Sequence, residues 1–121
     1  MKRITFVPAV IILLLISLVA CGKADMEGIV LHADENTLLV VENLAMDRYI
    51  KIKEEASSYE DLFDAMMQEQ RNTEGDIRLI DLTYDDSIDF NAGDEVEVWI
   101  GRHIGESSPL QAEARKIALK K

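Results

Sequence analysis

Few side chains in this sequence have the types and spacing for chemistry. There is one cysteine, Cys21, and there are two histidines, His32 and His103, set against 23 acidic residues. A serine–histidine–acid set would take Ser107 or Ser108 as nucleophile and His103 as base. No glycine elbow accompanies them, and closeness in sequence does not make a triad, so the segment reads as a solvated loop. His32 falls mid-strand and reads as a barrel-face histidine. Two histidines so far apart give no zinc spacing. Asp85, Asp86, Asp89, Asp94 and Glu95 crowd one loop and could hold Ca²⁺ through carboxylate oxygens. The EF-hand order fails there: Gly93 stands where a ligand is needed and Asp94 where the glycine is needed. Trp99, Met66 and Met67 are the candidate binding groups. Tryptophan concentrates at interface hot spots, and methionine suits adaptable surfaces. Their competing fate is core, with Trp99 packed under a helix and the methionines beside Leu62 and Phe63.

Cys21 has a different chemistry. Met1-Lys2-Arg3 opens the chain with positive charge, and an apolar stretch runs from Ile4 to Ala20. A charged start, a short apolar run and a small-residue exit describe a secretory leader, which lies outside any fold. The order Leu18-Val19-Ala20-Cys21-Gly22 resembles a bacterial lipobox, whose cysteine receives a diacylglyceryl group carrying fatty chains such as palmitate. Two chains anchor stably where one is marginal, at about 0.8 kcal/mol per buried methylene. The alternatives are an uncleaved single-span anchor and a plain secreted protein with a free thiol. A spanning helix wants about 20 apolar residues, and this stretch is interrupted by Pro8 and Ser17. A lone cysteine has no partner for a disulfide within the chain. The expected division is a leader over 1–20, a lipidated tether over 21–25 and one domain over 26–121.

The tethered domain is strongly acidic. Lys2 and Arg3 lie in the leader, so 11 of the 13 basic residues face 23 acidic ones across residues 22–121, a formal charge of −12. That excludes the clustered cations a nucleic-acid binder needs. It also disfavours docking on anionic lipid by charge. About a hundred residues make one small domain with one core.

The elements follow from periodicity. Glu27–Ala33 and Thr37–Glu42 read as strands joined by the turn chemistry of Asp34-Glu35-Asn36. Arg48–Lys53 alternates at period two and reads as a third strand. Tyr59, Leu62, Phe63, Met66 and Met67 recur at helical spacing, and Ser57 with Glu60 forms a capping-box pattern, which predicts a helix over about 58–70. Ile77–Tyr84 and Glu95–Ile100 read as strands, with Ile88 and Phe90 plugging the loop between them into the core. Along Gln111–Leu119 the apolar phase slips between Ala112/Ala114 and Ile117/Leu119, which predicts a β-bulge near Arg115-Lys116. Five or six short strands with one helix predict a mainly β, α+β domain closed as an OB-like barrel; an SH3-like barrel or open sheet is the alternative.

Three segments carry a family resemblance. They are Gly28-Ile29-Val30 through Leu38-Leu39-Val40-Val41, then Gly93 through Trp99, and Ile104-Gly105-Glu106-Ser107-Ser108-Pro109-Leu110-Gln111-Ala112-Glu113-Ala114. Together they resemble the YobA-like family of small secreted lipoproteins from Bacillus-type bacteria. The last segment is similar to that family's "E-S-Y-P-x-Q-A-x-A" pattern, with Ser108 in place of the aromatic. The segment Ser57–Asp76 fits least well and reads as an insertion. The resemblance implies a fold and an extracytoplasmic address and carries over no catalytic residues.

These readings converge on a non-enzyme: a lipid-anchored binding or regulatory module on the extracytoplasmic face of the cell membrane. Its expected partner is an envelope protein or small ligand, and it needs no cofactor. Two other functions compete with it. One is a Ca²⁺-responsive envelope protein using the Asp85–Glu95 loop; the other is a small envelope hydrolase using His103.

Overall fold

The computed structural model describes residues 22–105 and 109–120. The leader, Cys21, Ser107 and Ser108 lie outside the described residues. Strands β1 (Met26–Ala33) and β2 (Thr37–Glu42) form the expected hairpin, closed by an Asp34 N–H to Thr37 carbonyl bond of 2.8 Å. Two helices follow, α1 (Met46–Glu55) and α2 (Tyr59–Asn72). Then come β3 (Arg78–Thr83), a single 3₁₀ turn at Ser87–Asp89, β4 (Glu95–Gly105) and β5 (Leu110–Leu119). The strands close in the order β1-β2-β3-β5-β4, with β5 parallel to β3 and β4 antiparallel to β1. This is a five-stranded, mainly β, OB-like closed barrel with a helical layer on one side. No helix among the described residues is long and apolar enough to cross a membrane.

Two cores share the same strands. Met26, Val30, Leu38, Val40, Ile80, Leu82, Val96 and Val98 fill the barrel, and Phe90 plugs it as expected. Ile29, Leu31, Leu39, Val41 and Leu79 point outward and meet Tyr49, Ile52, Leu62 and Met66 from the helices. Strand β2 therefore has no polar face: all of Leu38-Leu39-Val40-Val41 is buried. Continuous apolar runs of this kind mark strands covered on both sides.

Several expectations change. Arg48–Lys53 is helix, not a third strand. Its alternation hides a helical stripe, since Tyr49 and Ile52 are buried while Ile50 is exposed. A closed barrel offers no free edge for an extra strand, and the apolar outer face of β1–β3 needs a cover. Helix α2 runs close to the predicted span, but its cap is one residue later. Ser58 Oγ accepts from the Asp61 N–H at 3.2 Å, and Ser57 Oγ donates to the Asp61 carboxylate. Ser57–Asp76 is no decoration, because α2 supplies Leu62 and Met66 to the outer core. Ile88 is 70% exposed, so Phe90 alone plugs the loop. The predicted bulge is present: Trp99 pairs with Lys116 and Ile100 with Ala114, which leaves Arg115 without an opposite residue. Ala112 and Ile117 thereby share the barrel core, with Ala114 packed beside them, while Leu119 stays exposed.

Candidate functional site

Barrel register builds one rung that differs from its neighbours. His32 lies opposite Leu39, Leu39 opposite Asp81, and Asp81 opposite Gln111. A second bulge sets its orientation. Val30 pairs with Val40 and His32 with Leu39, so Leu31 has no opposite residue. The extra residue turns both Leu31 and His32 to the outer face, where strict alternation would have put His32 inside the barrel. Asp81 follows Leu79 on the same outer face of β3, one rung beyond the cover of the helical core.

The first turn of α2 walls this rung. The Tyr59 ring meets His32 edge-on at 4.7 Å between centroids and stacks with Phe63 at 6.4 Å. Tyr59 is 41% exposed, so its ring is open to a ligand. His32 Nε2 lies 3.2 Å from Asp34 Oδ1. Ser87 is fully buried, and its hydroxyl donates to the Asp34 carbonyl, which fixes the turn that carries the carboxylate. The result is a groove of about 300 Å³ lined by His32, Asp34, Leu39, Tyr59, Phe63 and Asp81, with Thr37 and Pro109 at its margins. A second hollow continues along Tyr59 and Phe63 past Glu60 and Asp64. No Lys or Arg is among the described residues lining either.

Burial raises the Asp81 carboxyl above the usual carboxylate range, and the Asp34 charge adds to it. Burial also raises the Tyr59 hydroxyl, with Asp81 and Asp34 contributing. The groove thus offers aromatic faces, a small apolar floor and carboxylate acceptors.

The residues singled out from the sequence lie elsewhere. Trp99 sits on the β4–β5 face and not under a helix. Its Nε1 points at the Gly22 carbonyl at 3.4 Å, and Lys116 Nζ lies 4.7 Å over its ring. Helices cover β1–β3 because those outer faces are apolar; β4 presents Glu95 and Glu97 outward and attracts no cover. Met66 is fully buried and Met67 half-buried in the helical core, so Met66 is not a binding surface. The acidic loop does not converge. The carboxylate of Asp94 accepts from the Asn91 N–H at 2.9 Å, and no group of three or more His, Cys, Asp or Glu side chains among the described residues could hold a metal. The Ca²⁺ site expected at Asp85, Asp86, Asp89, Asp94 and Glu95 is therefore not assembled. His103 lines a separate cleft of about 340 Å³ at the barrel mouth, with Met26, Arg78, Ile80 and Leu110. Two of the polar groups there are engaged: Arg78 by Glu42, and the Asp25 carboxylate by the Ile100 N–H at 2.7 Å.

Sequence reasoning missed Asp34, Tyr59, Phe63 and Asp81 as a set. One signal was available: Asp81 interrupts the run Ile77–Leu82 on the parity shared with Ile77 and Leu79.

Residues 27–119 match a family described as "Protein of unknown function (DUF3221)". The chain belongs to this family. A crystal structure of a yobA protein from Bacillus subtilis is similar at 21% identity, covering 78% of this chain and 91% of that one, with a TM-score of 0.49. No curated protein matches. The three sequence segments that carry the resemblance all lie within the matched span. The DUF3221 span includes every residue of the groove, from His32 to Pro109.

Proposed function

We propose that the chain is a lipid-anchored binding module on the extracytoplasmic face of the cell membrane, with the groove beneath α2 as its binding surface. The observation that carries this reading is the groove itself: two aromatic rings from α2 and two carboxylates gathered beside one barrel rung. The lipobox-like Leu18-Val19-Ala20-Cys21 supports the address, and the acidic character of residues 22–121 supports a soluble head held by lipid alone. An envelope protein or small extracytoplasmic ligand is the partner class.

Two measurements test the two halves. Cys21→Ala should move the protein from the membrane fraction to the medium or soluble fraction; retention in the membrane would rule out the lipid anchor. A photo-crosslinker at Tyr59 in intact cells should capture a discrete partner, or bind a small ligand that protects it from crosslinking. A crosslinker at Ile50, exposed on α1, serves as control. Identical products from both positions would rule out the groove as the binding surface.

A further inference from the structure

We infer that the groove between β1–β3 and the first turn of α2 takes a cationic side chain, a lysine or arginine with its aliphatic stem, presented by an extracytoplasmic protein. This rests on the reading of the groove as a binding surface and names what it recognises.

The lining sets the chemistry. Asp34 and Asp81 place two carboxylates within one small groove, and Glu60 and Asp64 continue the negative rim past Phe63. No Lys or Arg among the described lining residues answers them. Four acids elsewhere do have cations: Glu42 holds Arg78, Glu69 holds Arg48, Glu113 holds Arg102 and Glu27 holds Lys120. Among the described lining residues His32 is the one basic group, and it lies beside Asp34.

The walls add a second preference. Tyr59 and Phe63 stack with an interplanar angle of 29°, which offers an aromatic face to a cation. Leu39 at the floor suits the methylenes of a lysine or arginine stem, whose head stays in a polar setting. An anionic ligand would meet repulsion from both carboxylates. A purely apolar ligand would bury them without a partner, which is unfavourable. The acidic head as a whole favours encounter with cations. Burial and the Asp34 charge favour the protonated form of Asp81 while a bound cation favours the charged form, so binding weakens as pH falls toward the carboxylate range.

The test uses the full chain purified in detergent micelles and followed by amide chemical shifts. The probes are the N-acetyl methylamides of lysine, norleucine and glutamate, which differ in charge at similar length. The lysine probe should shift groove amides and bind at least about tenfold tighter than norleucine, a difference of about 1.4 kcal/mol. Glutamate should bind more weakly than either. Asp81→Asn should cut lysine binding about fivefold or more, and Tyr59→Leu should do the same through loss of the ring. Tyr59→Phe, which keeps the ring, should retain it. Equal binding of norleucine in the groove would overturn the cation inference and leave the binding module standing. Lysine binding that Asp81→Asn leaves unchanged, or that shifts amides elsewhere, would overturn the assignment to this groove. Silence of all three probes at the groove would count against both readings.

Discussion

Asp81 stands where the strand pattern asks for an apolar side chain. Leu79, the preceding residue on the outer face of β3, is buried, and the Asp81 carboxyl is itself raised by burial and by Asp34. The sign of the consequence is fixed. An unfolded aspartate loses its proton near its ordinary value, while the folded one holds it to higher pH. Stability from this group is therefore fully present below the unfolded value and is lost as pH rises through the folded one. At neutral pH the charge is a cost to folding. Asp81→Asn should raise the melting temperature at pH 7, and the gap over wild type should close as pH falls below the carboxylate range. A lower melting temperature for Asp81→Asn at pH 7 would contradict the assignment. Gly28 is the converse case, a residue whose smallness the fold requires. A Cβ there would lie 2.4 Å from Val40 Cγ1 and 2.6 Å from the Val41 carbonyl oxygen. Gly28→Ala should cost about 1–3 kcal/mol by denaturant unfolding, as overpacking does. The site residues were hard to read from the chain because they meet through register. His32 reaches the groove only through the Leu31 bulge, and nothing in Ile29-Val30-Leu31-His32 marks where the extra residue falls.

Elements were more legible where one pattern excluded others. The phase slip along β5 located the Arg115 bulge, because only an extra residue brings Ala112 and Ile117 to one side. Helix α2 was legible from five apolar residues at helical spacing. The segment of α1 was not, because six residues from Arg48 to Lys53 fit both periods and the deciding contact is tertiary. Tyr49 and Ile52 gain burial only once β1–β3 offers an apolar outer face. The same dependence runs the other way, since α2 is what keeps that face dry. Met66, fully buried on α2, tests the coupling. Met66→Ala should lower stability by about 2–5 kcal/mol. Met67→Ala, at a half-buried position, should cost under about 1 kcal/mol. Equal small effects would mean that α2 lies loosely on the barrel and that Ser57–Asp76 is dispensable to it.

At the scale of the whole molecule, the groove and the entry of the chain into the barrel lie toward opposite ends of β1. The groove lies near the far end of β1, about six residues from Met26, roughly 20 Å at about 3.4 Å per residue. The chain enters at the other end, and residues 22–25 are tied to β4 instead of acting as a free linker. The Asp25 N–H donates to the Val98 carbonyl at 2.8 Å, the Asp25 carboxylate accepts from the Ile100 N–H at 2.7 Å, and Trp99 Nε1 reaches the Gly22 carbonyl at 3.4 Å. This gives Trp99 a role that its position opposite the barrel core did not suggest: it holds the tether. Lys116, stacked on the ring, limits its rotamers. The consequence is measurable because Lys23 offers a trypsin site inside the tied segment. Cleavage there requires the segment to leave β4 first, so its rate follows the local opening equilibrium. Removing one hydrogen bond costs about 1 kcal/mol, which is about fivefold in that equilibrium. Trp99→Ala should therefore speed trypsin cleavage after Lys23 about fivefold or more, followed by mass spectrometry, while the unfolding midpoint of the barrel barely moves. Trp99→Phe should fall between, since it keeps a ring for Lys116 and loses the donor. Unchanged cleavage in both variants would mean that the Asp25 bonds alone hold the tether.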